Sequence, residues 1–121
     1  MGNILIIDDD PDIRELVNTH LSNAGHSVQE AKNGQDGVAQ ASNDHPDLII
    51  LDINMPVMDG TRVMQALRGD ESTAKIPVIA LSVMSTSDIR DDMYNFGCDA
   101  YVLKPIDFDV LLGQIKSLIP A

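Results

Sequence analysis

The sequence predicts a doubly wound α/β fold, five parallel strands each followed by a helix, and three observations carry that prediction. Short apolar or β-branched runs recur at near-regular intervals along the 121 residues, with helical patterns filling the gaps. The runs around residues 4–7, 48–51 and 78–81 are apolar throughout, as strands covered on both faces of a parallel sheet must be. Five strands are too few to close an eight-stranded barrel, so right-handed crossovers leave an open sheet with helices on both faces.

Taken in order, the first strand is Ile4–Ile7, and the helix after it spans residues 11–24 with Ile13, Leu16, Val17, Leu21 and Ala24 on its apolar face. Asp10 fits its N-cap, Pro11 the first helical position and Gly25 its stop, while Asp12 compensates the helix dipole. Ser27–Gln29 is short and polar, which suits an edge strand, and residues 35–43 form a weaker helix carrying Val38, Ala39 and Ala41. Leu48–Leu51 is followed by a helix over 60–68 with Val63, Met64 and Leu67 inward, Asp59 as cap and Gly69 as stop. Val78–Leu81 precedes a helix over 87–96 with Ile89, Met93 and Phe96, stopped by Gly97. The last pair is Ala100–Leu103 and a helix over 108–119 carrying Phe108, Leu111, Leu112, Ile115, Leu118 and Ile119. No linker or shift in composition divides the chain, so residues 1–121 read as one domain, long enough to bury roughly two thirds of its unfolded surface.

Composition removes several classes of function. Eight Lys and Arg against 19 Asp and Glu give a net charge of −11, the wrong sign for sequence-independent binding to nucleic acid or an anionic membrane. The single cysteine, Cys98, excludes a disulfide framework and a Cys-rich zinc site and reads as a small buried residue. No apolar run approaches the roughly 20 residues of a membrane span, and the first residues lack the pattern of a secretory signal. The chain is expected to be cytoplasmic.

In open sheets of this kind, ligands bind beyond the C-terminal ends of the strands. Strand one ends in Asp8-Asp9-Asp10, strand three in Asp52, strand four in Ser82 and strand five in Lys104-Pro105. Asp8, Asp9 and Asp52 brought together would repel one another, and an all-oxygen cluster is best offset by a hard divalent cation such as Mg²⁺, with Mn²⁺ as its substitute. Lys104 adds a point charge and Ser82 a hydroxyl donor. A cation, an ammonium and a hydroxyl around a free carboxylate make a phosphoryl-binding site that contains a nucleophile, and an Asp carboxylate can become an aspartyl phosphate.

Four stretches, Ile4-Leu-Ile-Ile-Asp-Asp-Asp10, Leu51-Asp-Ile-Asn-Met-Pro-Val-Met-Asp-Gly60, Ala80-Leu-Ser82 and Ala100-Tyr-Val-Leu-Lys-Pro-Ile106, together resemble a response-regulator receiver domain of the stand-alone chemotaxis type. The resemblance spans essentially the whole chain and implies a flavodoxin-like strand order 2-1-3-4-5. It implies Asp52 as phosphoacceptor, Asp9 as direct Mg²⁺ ligand, Asp8 as an acid reaching the metal mainly through water, and Asn54 as donor of a backbone carbonyl to it. Ser82 then matches the switch hydroxyl, Lys104 the phosphate-contacting lysine and Tyr101 the aromatic that changes rotamer, and the Lys104-Pro105 bond is expected to be cis. A histidine kinase or phosphotransfer protein would be the donor. The output would be a downstream protein, or a phosphorelay partner, met by the surface of the fourth helix, fifth strand and fifth helix. The thin apolar stripe and the acids Asp88, Asp91 and Asp92 of the fourth helix suit a marginal switch element.

Two residues depart from the family pattern. Val83 stands where a small residue is usual, and its bulk is expected to narrow access to Asp52. Met84 cannot position an attacking water as Glu could, so the phosphoryl group is expected to be longer-lived than in a fast chemotaxis regulator. Other readings stay open. The chain also suits a receiver excised from a longer DNA-binding or hybrid-kinase protein. A constitutive interaction module that has lost phosphorylation is opposed by the intact set of Asp9, Asp52, Ser82 and Lys104 and kept open by Val83. Asp8-x-Asp10 also fits a small metal-dependent phosphohydrolase of the haloacid-dehalogenase type, although Asp12 stands where those motifs carry Thr or Val. Tyr101 is open to a plain core role. His20, His26 and His45 read as structural or solvated, and no Gly-x-Ser-x-Gly, Gly-x-Gly-x-x-Gly or Walker A pattern occurs.

Overall fold

The computed structural model describes residues 2–54, 60–83 and 87–119. It contains β1 (Asn3–Ile7), α1 (Pro11–Asn23), β2 (Ser27–Ala31), α2 (Gly34–Asp44), β3 (Leu48–Asp52), α3 (Gly60–Gly69), β4 (Val78–Ser82), α4 (Ser87–Asn95), β5 (Ala100–Leu103) and α5 (Phe108–Leu118). All strand pairs are parallel, and the sheet order is β2-β1-β3-β4-β5, as expected.

Successive residues of a strand face opposite sides, and the central strands supply a core to each face. Leu5, Ile7, Ile49, Leu51, Val78 and Ala80 pack with Ala41 of α2, Val63, Met64 and Leu67 of α3 and Met93 of α4. Ile4, Ile6, Leu48, Ile50, Ile79 and Leu81 pack with Val17 and Leu21 of α1 and Leu111 and Ile115 of α5. β3 and β4 are buried at every position, which is why their sequences do not alternate.

Helix boundaries follow local chemistry. The Asp10 side chain caps α1 by accepting from the Asp12 N–H, Pro11 opens it, and Gly25 takes the positive φ (97°) that turns the chain back. Gly97 does the same after α4 at φ 104°. Asn33 caps α2 and Asp107 caps α5.

Several expectations are corrected. β2 runs on to Ala31 because its pairing with β1 persists to the Ile7 level. Leu16 is 44% exposed, since the helical stripe through Ile13, Val17 and Leu21 leaves it at the flank, and Ala24 is an exposed C-cap. The inner face of α2 is Gly34, Gly37 and Ala41, with Val38 half-buried and Ala39 exposed. Glycine is blank in a hydrophobic pattern, so that helix looked weak. Gly69 is the last residue of α3 rather than a stop beyond it, and Phe96 lies past the end of α4, exposed. The expected Asp59 cap and Met84 lie outside the described residues.

The corner between α3, α4 and β4 is tied by Arg68. Its guanidinium donates to the carbonyls of Ile76 (2.8 Å) and Gly97 (2.8 Å) and pairs with Asp99 at 3.2 Å. Asp99 in turn accepts the Val78 N–H at 2.9 Å.

Candidate functional site

Pairing at the C-terminal edge of the sheet continues just past the strands and fixes the positions of the polar residues there. The Asp8 N–H donates to the Ala31 carbonyl at 3.1 Å, Ile53 to Leu81 at 3.1 Å, and Lys104 to Ser82 at 2.8 Å. The β1–β3 register aligns Ile7 with Leu51, so one step further brings Asp8 level with Asp52. Gly60 lets α3 start close behind this edge, because a Cβ there would lie 2.5 Å from the Ile53 Cβ and 2.7 Å from its Cα.

Asp8, Asp9 and Asp52 each present a carboxylate oxygen within 4.8 Å of the others. Asp8 and Asp52 are buried, whereas Asp9 is exposed and gives the cluster an open side. Lys104 Nζ lies 3.4 Å from Asp8 Oδ2 and 3.4 Å from Asp52 Oδ2. The remaining oxygens are held by the backbone: Asp8 Oδ1 accepts the Asp10 N–H and Asp52 Oδ1 the Asn54 N–H, each at 2.9 Å. Burial pushes the Asp8 carboxyl up to about 6. The Asp10 N–H opposes that rise, the Asp52 charge adds to it, and Lys104 opposes it. Among the described residues, one ammonium against three converging carboxylates leaves the cluster short of positive charge, and the cluster's donors are all oxygen. A hard divalent cation fits both properties.

Ser82 is buried at the end of β4, and its hydroxyl donates to Asn54 Oδ1 at 3.2 Å, which also accepts the Val83 N–H at 3.4 Å. The Asn54 side chain therefore links the ends of β3 and β4, a role that sequence reading, intent on its backbone carbonyl, missed. Val83 itself is 65% exposed. Tyr101 is half-buried on β5 against the core beneath α2, α3 and α4. The Lys104-Pro105 peptide bond is cis. Asp10 stands outside the carboxylate cluster with its side chain on the Asp12 N–H at 2.9 Å, so the Asp8-x-Asp10 pairing of the phosphohydrolase reading is not formed.

Arg14 was also missed. Its Nη1 donates to the Asp8 carbonyl at 2.7 Å, while its Nε pairs with Glu30 on β2 at 3.2 Å. A signal existed: a cation so near the N-terminus of a helix opposes the macrodipole and asks for a local reason. His20 stacks on Phe108 with ring centroids 3.8 Å apart, and Cys98 is buried, its thiol pushed up to about 11 by burial; neither approaches this edge.

Comparison with known proteins converges on one family. The family model of the response regulator receiver domain matches residues 4–116. The chain is 43% identical over 119 residues to the DNA-binding dual master transcriptional regulator RpaA of Synechocystis, covering 98% of this chain and 49% of that protein. It is 36% identical over 122 residues to the protein PilH of Pseudomonas aeruginosa, covering 98% of each. The chain thus spans about half the length of the first curated relatives it matches, PilH being of similar length to it. Among solved structures, the chemotaxis response regulator CheY4 of Vibrio cholerae is similar at a TM-score of 0.91 and 29% identity, with 98% of each chain covered. The receiver domain of the sensor histidine kinase PA1611 from Pseudomonas aeruginosa, solved with a magnesium ion coordinated in its active-site cleft, is similar at a TM-score of 0.91 and 25% identity, over 99% of this chain and 98% of that one.

Proposed function

This chain belongs to the response regulator receiver domain family, and from that premise we propose that it is a phosphoryl-accepting switch with Asp52 as the acceptor. The observation that supports this most is the setting of Asp52: buried, fixed by the Asn54 N–H, faced by Lys104 and flanked by Asp8 and Asp9. Receiver domains work with histidine kinases or phosphotransfer proteins, and such a protein is the proposed donor here. In this proposal residues 1–121 act as a single receiver unit. No turnover of a separate substrate is assigned to it. The proposed setting is cytoplasmic, without direct contact to nucleic acid or membrane.

An Asp52 carboxylate oxygen attacks the phosphorus, the bond from phosphorus to the donor nitrogen breaks, and its electron pair returns to the imidazole. The Asn54 N–H holds the other oxygen in place, and Lys104 balances the charge gathering on the phosphoryl oxygens. Asp8, Asp9, Asp52 and the Asn54 backbone carbonyl would hold Mg²⁺, for which Mn²⁺ can stand in. The bound ion supplies the positive charge that the cluster lacks and attracts phosphoryl oxygens.

The new phosphoryl oxygens are stronger acceptors than the Asn54 amide, so Ser82 exchanges one for the other. That exchange draws the end of β4 inward. Tyr101, half-buried beside it, then turns into the core and remodels the α4–β5–α5 surface, which meets a downstream protein or a relay partner. The 43% identity to a longer transcriptional regulator supports a second reading, in which the same surface controls a fused DNA-binding segment. Acetyl phosphate and Mg²⁺ should give a single hydroxylamine-labile phosphoryl adduct that EDTA prevents. A stable serine phosphate, or no adduct, would overturn the proposal.

A further inference from the structure

We infer that Arg14, held by Glu30, is a positioning residue for the metal-binding corner: it fixes the Asp8 main chain so that the Asp8 and Asp9 carboxylates stay poised for a divalent cation. The inference rests on the functional reading above and adds residues to it that touch neither metal nor phosphoryl group. β2 ends at Ala31, where its carbonyl takes the Asp8 N–H. By the parallel register, the next bond to the Asp8 carbonyl would come from Asn33, but Asn33 has left the sheet to cap α2. Arg14 Nη1 fills that place at 2.7 Å. A buried carbonyl at a strand end needs such a donor, and this one belongs to Asp8, whose carboxylate is part of the cluster.

The donor is itself braced. Glu30 Oε1 takes Arg14 Nε at 3.2 Å, Glu30 Oε2 takes Asn18 Nδ2 at 3.0 Å, and the Ser22 hydroxyl donates to Asn18 Oδ1 at 2.8 Å. The Arg14 side chain is 17% exposed. The planar guanidinium can satisfy two partners at fixed angles where an ammonium offers a single point. The bracing runs from α1 to the edge strand and locks the loop that carries Asp8 and Asp9.

The sign of the effect separates this role from others. A guanidinium near a cation site repels the cation, so if Arg14 acted only through its charge, removing it would tighten Mg²⁺ binding. If it acted only on the fold, the folded variant would bind as before. Positioning predicts weaker binding by a folded protein. Calorimetric Mg²⁺ titration of wild type, Arg14→Met, Arg14→Lys and Glu30→Ala, with folding checked by circular dichroism, decides. Arg14→Met should bind about tenfold more weakly, within the range of supporting residues behind metal ligands. Arg14→Lys should recover part of that loss and Glu30→Ala should show a smaller loss in the same direction. In acetyl phosphate labelling, the Mg²⁺ half-saturation should rise while the rate at saturating Mg²⁺ stays within about twofold. Folded Arg14→Met with equal or tighter Mg²⁺ affinity overturns the inference. Should Arg14→Met not fold, an unchanged affinity in Glu30→Ala overturns it instead. Wild type that binds no Mg²⁺ overturns the functional reading, and this inference with it.

Discussion

Replacing Asp8 by Asn should stabilise the metal-free protein at neutral pH, although it removes a residue of the site. The Asp8 carboxyl is raised from 3.8 to about 6, by burial first and by the Asp52 charge as well. At ~1.4 kcal/mol per pKa unit, the ionised side chain costs the fold about 3 kcal/mol above that pH. Asn keeps an acceptor for the Asp10 N–H but loses the attraction of Lys104 at 3.4 Å. That lost attraction offsets part of the relief, so the net gain expected is about 1–2 kcal/mol. The sign follows from linkage. The folded state holds the Asp8 proton more tightly than the unfolded chain, so this group adds stability as pH falls through about 6, and its penalty is complete above that value. Urea denaturation in EDTA should therefore favour Asp8→Asn at pH 7.5 by this margin, and the difference should shrink at pH 5. Added Mg²⁺ should reverse the order by stabilising wild type more than the variant. A variant less stable than wild type at pH 7.5 in EDTA, or an advantage unchanged at pH 5, would refute the reasoning.

Three further outcomes are expected. Arg68→Ala leaves the carbonyls of Ile76 and Gly97 without their donor and should cost roughly 2–4 kcal/mol in urea denaturation, with little of it from the half-exposed pair to Asp99; a loss near zero contradicts the bracing role of Arg68. Lys104→Met removes the ammonium facing both Asp8 and Asp52 and should slow labelling by acetyl phosphate at saturating Mg²⁺ by roughly a hundredfold, and an unchanged rate argues against it. The phosphoryl group should persist well beyond seconds in wild type and be lost faster in Met84→Glu, as followed by decay of the adduct after acetyl phosphate is removed; a half-time of only seconds in wild type counts against this.

The central strands were legible because burial on both faces leaves unbroken apolar runs at Ile4–Ile7, Leu48–Leu51 and Val78–Leu81, and the α1 cap because Asp10-Pro11 is a local signal. The convergence of the candidate site residues was legible because strand ends mark positions, and five strands in one sheet bring their ends to one edge. What sequence reading missed depends on polar links between distant positions or on the absence of a side chain. The inner face of α2 is built on Gly34 and Gly37, which no hydrophobic pattern registers. Arg14 meets a carbonyl six residues back and a glutamate on another strand, and Asn54 accepts from Ser82 across 28 positions. Such links have no period in the sequence and arise only when the fold places the partners together. Leu16 shows the converse, an apolar residue at helical spacing that the actual stripe leaves outside.

The central claim concerns one carboxylate. Wild type and Asp52→Asn should be incubated with acetyl phosphate and Mg²⁺, trapped with borohydride, and mapped by peptide mass spectrometry. The account predicts that the reduced, formerly phosphorylated residue is Asp52 in wild type and that the variant carries no label. Label retained by Asp52→Asn, or mapped to Asp8 or Asp9 in wild type, would contradict it.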